Sequence, residues 1–324
     1  MSGEDRSTGP LYLVTGGAGF IGSHLAETLV GRGDRVRVLD DFSAGRRENL
    51  AGTAGAVEIV EGDIGDAGVC ERACEGVDYV FHEAARVSVE ESIADPVGNH
   101  RTNVSGTLNM LLAARDAGCK RFVYAGSAAA YGDTPLLPHR EDMAPRPLSP
   151  YAVAKYVGEL YCRTFFDLYG LETVVLRYFN VFGPRQDENS PYSGVIARFI
   201  GQLLREEEIT IYGDGEQTRD FVAVENVVEA NLLACTAPEA AGRVINVGAV
   251  ERTSVSRLAD LLMELTGVKC RVNRAPARTA EVRHSQADIS TARQVLSYQV
   301  EVPVREGLER TVAWYRQARG KAPD

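Results

Sequence analysis

The 324-residue chain lacks any apolar run of bilayer length, so no membrane-spanning helix is expected. It also lacks an excess of positive charge. Lys and Arg number 35 against 45 Asp and Glu, giving a net charge of −10 and a pI near 5.2. A nucleic-acid-binding surface is therefore not expected, although a helix end or a few arginines suffice for a small anion. Residues 1–10, MSGEDRSTGP, have neither the basic start nor the apolar core of a signal peptide and read as a loose leader. Cysteine is sparse and scattered, at positions 70, 74, 119, 162, 235 and 270. Cys70 and Cys74 are four apart on a helical pattern, but no second Cys or His pair completes a zinc site, so no metal is expected. Thiols used this way fit a reduced, cytoplasmic setting. Without a secretory signal, the Asn103-Val104-Ser105 sequon carries no weight. Internal repeats, low-complexity runs and coiled-coil heptads are absent as well.

What is present is 44% hydrophobic and 25% charged, in the range of a soluble globular chain. The length fits one large α/β domain or a domain with an appended lobe. The organising stretch is Thr15-Gly16-Gly17-Ala18-Gly19-Phe20-Ile21-Gly22-Ser23-His24-Leu25. An apolar strand pattern, Leu11–Val14, precedes it, and apolar residues at helical spacing follow: Phe20, Ile21, Leu25 and Leu29. Glycines at 16, 19 and 22 sit where strand becomes helix. There a dinucleotide's pyrophosphate docks, because missing side chains allow close approach and the helix start offers unpaired N–H groups. The spacing is G-x-x-G-x-x-G rather than G-x-G-x-x-G.

Arg35–Asp40 reads as a second strand ending in an acid, 24 residues past Gly16, where the adenosine ribose is bound. A carboxylate there repels a 2′-phosphate, which favours NAD over NADP. Val57–Val60, Val77–His82, Lys120–Ala125 and Thr173–Tyr178 continue the strand series, with a helix over 99–117. Asp63 accepts from the adenine amino group or caps the next helix. The small residues of Glu83-Ala84-Ala85 suit close approach to a cofactor. The alternation implies an α/β fold with a doubly wound parallel sheet, whose ligands bind beyond the strand C-termini, where Ser127 falls. A proline-rich loop over 133–150 leads to a helix opening at Tyr151. Residues 181–220 lose the alternation, apart from an amphipathic helix near 194–204. It returns over 221–248, and the tail has helices near 254–266 and 305–318. The expected division is 1–180 plus 223–248 as a Rossmann-type domain and 181–222 plus 249–324 as a smaller C-terminal substrate lobe.

Tyr151 and Lys155, four apart on a helix, share one face. A free phenol, with a pKa near ~10, is a poor base at neutral pH. A nearby ammonium and a positive nicotinamide stabilise the phenolate, so Tyr151 is expected to take a hydroxyl proton while hydride leaves the same carbon, with Ser127 hydrogen-bonded to that oxygen.

With these residues in place, the chain resembles the extended short-chain dehydrogenase/reductase superfamily and, within it, the UDP-sugar 4-epimerases. The matching stretches are TGGAGFIGSHL, VLDDFS, GDI, TNVSGT, the serine of YAGSAAAYG, SPYAVAK, RYFNVFGPRQDENSPYSGVI, ITIYGDGEQTRDF and VRHSQADIS. The resemblance implies a Rossmann domain, a nucleotide-sugar lobe, tightly held NAD and a homodimer built on helices near 99–117 and 151–169. It makes Ser127, Tyr151 and Lys155 catalytic. It places Gly16, Gly19, Phe20, Ile21, Gly22, Asp40, Asp63 and Ile64 at the adenosine and pyrophosphate half of NAD, with Phe42, Ser43 and Gly45 beside the ribose. Ala84, Asn103, Lys155 and Tyr178 fall at the nicotinamide half. On the UDP-sugar it implies Ser88, Asn180, Gly194, Val195, Tyr212 over the uracil, and Arg219 and Arg278 on the diphosphate.

Some positions depart from the family pattern. Ser127 is followed by Ala128-Ala129-Ala130, where related dehydratases and decarboxylases carry an acid, so those readings lose their proton-transfer group. Thr279-Ala280-Glu281 replaces a common Gly-Asp, which clouds a substrate role for Glu281. Arg86 is a surface charge or, alternatively, a partner for a sugar C6 carboxylate, as in UDP-glucuronate. Ser285 stands where hexose-restricted epimerases tend to have tyrosine, leaving room for an N-acetyl group at C2. The expected activity is a UDP-hexose 4-epimerase through a transient 4-keto sugar. The alternatives are a UDP-glucuronate 4-epimerase, a dehydratase or decarboxylase, and a non-catalytic NAD-binding scaffold.

Overall fold

In the computed structural model, which describes residues 9–53, 55–188, 194–277 and 282–320, the first strand is buried along its whole length. The strands are β1 (Leu11–Thr15), β2 (Arg35–Asp40), β3 (Val57–Glu61), β4 (Tyr79–His82), β5 (Arg121–Ser127), β6 (Glu172–Tyr178), β7 (Asn180–Phe182), β8 (Ile209–Tyr212), β9 (Thr218–Ala223), β10 (Val244–Val247), β11 (Arg252–Ser254) and β12 (Val272–Ala275). The helices are α1 (Phe20–Gly31), α2 (Ala67–Cys74), α3 (Val89–Ala94), α4 (Pro96–His100), α5 (Thr107–Asp116), α6 (Pro150–Tyr169), α7 (Val195–Leu204), α8 (Val224–Thr236), α9 (Val255–Thr266), α10 (Ser290–Leu296) and α11 (Val304–Gly320).

Seven strands form one parallel sheet in the order β10-β6-β5-β4-β1-β2-β3. Chain order reverses between β1 and β4, which opens a crevice at the ends of those strands. One apolar cluster lies between the sheet and α1, α8 and α10, and a second lies beneath α2, α5 and α6. Burial on both faces explains the unbroken apolar runs of β1 and β5.

The expected helix over 99–117 is instead α4, a π-helical stretch Arg101–Gly106 and α5 in succession. Gly106 is needed within it, because a Cβ there would sit 2.7 Å from the Ile64 side chain. Helix α10, placed by the sequence reading in the smaller lobe, adds Ala292 and Leu296 to the core of the large sheet. A third cluster joins α7, α9 and α11 to the sheet β11-β9-β7 and the pair β12-β8. Among the described residues no helix is long and apolar enough to cross a membrane.

Candidate active site

The glycine turn follows β1 at the point where strand order reverses. Gly16 has a φ of +64°, and a Cβ on it would lie 2.8 Å from the backbone of Ala84. A Cβ on Gly22 would fall on the Gly16 carbonyl oxygen. The N-cap of α1 is Gly19, with no side-chain cap, so the first N–H groups of the helix, at Phe20 and Ile21, are left to an incoming anion. Asp40, at the end of β2, is 6% exposed. It accepts N–H bonds from Ala18 and Phe42, each at 2.8 Å, and burial nevertheless raises its pKa. Gly45 closes over it, since a Cβ there would meet Asp40 Oδ1 at 2.8 Å. The cradle without side chains, the uncapped helix start and the buried acid fit the pyrophosphate and ribose of NAD.

The other residues expected around the adenosine take definite places. Phe42 carries the Arg47 guanidinium 4.0 Å over its ring, and Ser43 hydrogen-bonds Asp41 through its N–H and its hydroxyl. Asp63 does not cap the next helix; Asp66 does, accepting from Gly68 and Val69. The Asp63 carboxylate accepts from Gly65 N–H (2.7 Å) and pairs with Arg101 (3.1 Å). Ile64 is buried against Gly106.

The other end of the crevice, with Ser127, Tyr151 and Lys155, is built by β5 and α6. Ser149 caps α6 by accepting from Ala152 N–H (3.2 Å), and Pro150 occupies its first turn. The unsatisfied N–H of Tyr151 finds the Ser92 hydroxyl at 3.1 Å, which locks the helix start to α3. One turn on, Lys155 is 5% exposed and its Nζ donates to the Ala125 carbonyl at 2.7 Å. Ser127 ends β5 and accepts the N–H of Ala129, and its hydroxyl lies close enough to the Tyr151 phenol to lower that group's pKa.

The electrostatics differ from the expectation in one respect. Burial raises the Tyr151 pKa, and the group opposing this is Ser127, not Lys155, whose ammonium points to Ala125. Burial also brings Lys155 down to about 8, against the pull of Glu83 and Glu159. The protein by itself thus holds Tyr151 neutral, because a desolvated phenolate is costly and the ammonium is turned elsewhere.

From Ser127 and Tyr151 a cleft of about 1040 Å³ opens toward the smaller lobe. Its wall includes Ser88, Tyr178, Asn180, Gly194, Val195, Tyr212, Arg219 and Ser285. Ser88 caps α3 and Gly194 caps α7, so two helix starts face this space. The Arg219 guanidinium donates to the Thr218 carbonyl (3.0 Å), and Asp220 beside it gathers the N–H groups of Ala249 (2.7 Å), Val250 (3.0 Å) and Ala287 (2.9 Å). Arg278 and Glu281 lie outside the described residues.

Two residues matched to the ligands have their polar atoms engaged within the protein. Arg86 is held by Asp95 (2.7 Å) and Glu91 (2.6 Å), a fork of carboxylates that fits the surface-charge alternative. Asn103 joins Arg86 N–H and C=O through two 2.8 Å bonds, so its amide shapes the loop after Ala84.

The sequence reading missed Glu83, valuing its neighbours for their smallness. Tyr178 donates to the Glu83 carboxylate at 2.8 Å and accepts from Asn231 of α8 at 2.7 Å. The available signal was an acid directly after a strand of a parallel sheet, where ligands bind.

Comparison with known proteins matches this geometry. The model of the NAD dependent epimerase/dehydratase family aligns with residues 12–248. A UDP-glucose 4-epimerase of Mycolicibacterium smegmatis is 39% identical over 94% of this chain and 98% of its own. A UDP-N-acetyl-alpha-D-glucosaminuronate decarboxylase of Bacillus cytotoxicus is 33% identical over 94% of this chain and 97% of its own. Among solved structures, UDP-glucose 4-epimerase of Thermotoga maritima with UDP-glucose has a TM-score of 0.91 at 40% identity, covering 95% of this chain and 99% of that one. UDP-N-acetylglucosamine 4-epimerase of Methanobrevibacter ruminantium, in complex with UDP-N-acetylmuramic acid, has a TM-score of 0.91 at 38% identity, covering 96% and 99%. With the glycine cradle, Asp40 and the Ser127/Tyr151/Lys155 set in place, the chain belongs to the NAD dependent epimerase/dehydratase family.

Proposed function

We propose that this protein interconverts the C4 epimers of a UDP-hexose, with plain and N-acetylated sugars as its substrates. The observation that carries this is the floor of the cleft. Ser127 and Tyr151 both line it, and the three residues that follow Ser127, Ala128, Ala129 and Ala130, carry no acid or hydroxyl. A hydroxyl proton can be taken at C4, but no acid stands next to Ser127 for the elimination or decarboxylation that a related fold performs. NAD, when bound, takes the hydride from C4, returns it and adds positive charge beside Tyr151. Tyr151 holds the hydroxyl proton during the transfer and Ser127 orients the oxygen. Lys155, anchored on Ala125, supplies positive charge behind them. Arg219 and Tyr212, with Arg278 by family resemblance, bind the nucleotide, so the sugar turns while the UDP stays.

The substrate reading rests on two sides of the cleft. Ser285 is small and faces it, which supports room for an N-acetyl group at C2. Val87–Ile93 contains Glu90 and Glu91 and no cation, and Arg86 is already paired, so a C6 carboxylate gains no partner on that side. The test is a product assay with UDP-glucose, UDP-N-acetylglucosamine and UDP-glucuronate and no added reductant. C4 epimers of the first two are expected. Release of water or CO₂, or turnover of the uronate alone, overturns the reading.

The proposed working unit is a homodimer, with residues 1–180 plus 223–248, joined by α10, holding NAD and the rest of 181–222 plus 249–324 closing on the UDP-sugar. An apolar stripe on α6 supports the pairing: Val153, Leu160 and Leu168 are 47%, 49% and 70% exposed, with Val97 of α4 nearby at 78%. A cytoplasmic location is part of the same reading, supported by six cysteines that are all unpaired.

A further inference from the structure

Sheet order dictates where the middle of the cofactor lies. Asp40 ends β2, the glycine turn follows β1, and Ser127 ends β5. The order β2-β1-β4-β5 puts the end of β4 between the pyrophosphate seat and the catalytic hydroxyls. Glu83 is the first residue past β4. Its N–H donates to the Thr15 carbonyl (3.2 Å), and Ala84 beside it abuts Gly16. The carboxylate is half-buried and is held by a phenol rather than by an ammonium or guanidinium. Asn231, fully buried, sets the Tyr178 hydroxyl by donating to its oxygen at 2.7 Å and lying with Oδ1 3.0 Å from it, and the phenol donates to Glu83 Oε1 at the shorter 2.8 Å. Lys155 acts on Glu83 only through space. One turn of backbone, one phenol and one amide thus fix an acid beside the stretch that the nicotinamide riboside must cross.

We propose that Glu83 is a charge-setting, positioning residue, whose carboxylate, held in place by Tyr178 and Asn231, favours the cationic oxidised nicotinamide over the neutral reduced ring. The inference rests on the epimerase reading for its purpose. In the forward half-reaction the C4–H bond breaks and its electron pair leaves with the hydrogen as hydride. The hydroxyl proton passes to Tyr151 and C4=O forms. The return half reverses each transfer, so no outside oxidant or reductant takes part. An anion beside the ring makes the return downhill and discourages loss of the keto sugar from reduced enzyme. Burial raises the Glu83 pKa to about 7, against the Tyr178 bond and the Lys155 charge, and a cationic ring beside it favours the ionised form further.

The experiment is a redox titration of the purified holoenzyme against a mediator dye of known potential, read at the absorbance of bound reduced nicotinamide, with no sugar present. Glu83→Gln keeps the acceptor for Tyr178 and removes the charge. At a fixed poise its ratio of reduced to oxidised cofactor is expected to rise about tenfold over wild type. Tyr178→Phe removes a bond that favours the ionised carboxylate, so it is expected to raise the ratio in the same direction, by less than Glu83→Gln. A wild-type ratio in Glu83→Gln overturns the proposal. Glu83→Ala is the second neutral variant, should Glu83→Gln fold poorly, and the same rise is expected. Because the titration needs no substrate, it separates the two readings. A shifted ratio without epimerisation of any UDP-sugar sinks the function and leaves the charge role standing; epimerisation with an unshifted ratio does the reverse.

Discussion

Arg177 and Glu159 form a two-pronged ion pair sealed between β6 and α6, with Nη2 2.7 Å from Oε2 and Nε 3.0 Å from Oε1. Their side chains are 4% and 3% exposed. The remaining face of the guanidinium lies 4.7 Å from the centre of the Tyr131 ring. Glu159 is one turn past Lys155, so the pair seats the helix that carries Tyr151 and Lys155 on the strand that carries Tyr178. Removing one partner leaves a buried charge uncompensated. Arg177→Met is expected to destabilise the fold by about 3–5 kcal/mol in urea unfolding. Arg177→Met with Glu159→Leu is expected to recover most of that loss, and a double variant no better than the single one refutes the account.

Tyr151→Phe tests the base directly. The ring still packs and the Tyr151 N–H still reaches Ser92, so thermal stability and bound NAD should change little. Epimerisation is expected to fall by about 10²–10⁴-fold, the usual contribution of a positioned acid–base group. Activity within tenfold of wild type would assign the proton to another residue.

Ser285 is backed by Thr218, whose carbonyl accepts its N–H at 3.1 Å, so its place on the cleft wall is set by backbone. Ser285→Tyr should fill the space beside the sugar's C2. kcat/KM for the N-acetylated substrate is expected to fall by at least about tenfold, with the plain hexose affected much less. Equal loss on both substrates would place Ser285 away from C2.

His82 gives the protein an acid limit. It is 1% exposed, lying between the hydroxyls of Thr15 (2.8 Å) and Thr107 (3.1 Å). Burial, followed by the Lys155 charge, pushes its pKa down to about 3. The unfolded chain binds this proton near pH ~6.5 and the folded chain does not, so the stability contribution is complete above that pH and is lost as pH falls toward 3. The expected slope from this group is about 1.4 kcal/mol per pH unit. Asp220 acts oppositely, since burial raises its pKa to about 6 and its contribution is lost as pH rises through that value. His82→Gln isolates the first effect: its stability should fall less steeply than wild type between pH ~6.5 and ~4. Parallel curves would remove His82 from the acid limit.

Leu160→Glu addresses the apolar stripe on α6. Leu160 is 49% exposed, so the substitution costs the lone subunit little. Light scattering after gel filtration should report a dimer for wild type and a monomer for the variant. A monomeric wild type refutes the pairing.

Much of the cofactor half was legible without coordinates because its chemistry is local. Gly16, Gly19 and Gly22 are close in sequence, and their spacing encodes the strand, turn and helix that surround them. Asp40 is legible because it ends the next strand. Tyr151 and Lys155 share a face by helical period alone. The smaller lobe resisted the same treatment. Its β7, β9 and β11 are short strands brought together from distant stretches, and no period in the sequence says that Asp220 will gather the N–H groups of Ala249, Val250 and Ala287.

Arg86 and Asn103 mark the boundary most clearly. Each has the right residue type at a matched position, yet their polar atoms go to Glu91 and Asp95 in one case and to the Arg86 backbone in the other. The sequence by itself determined the fold class, the glycine turn after β1 and the shared face of Tyr151 and Lys155, because these follow from period and neighbouring residue type. Only the tertiary structure decided which charges meet. It paired Arg86 with Glu91 and Asp95, turned Lys155 to Ala125 and set Glu83 against Tyr178. Such pairings depend on which strand ends and helix faces become neighbours, a relation between residues as far apart as Glu83 and Asn231 that linear order does not contain.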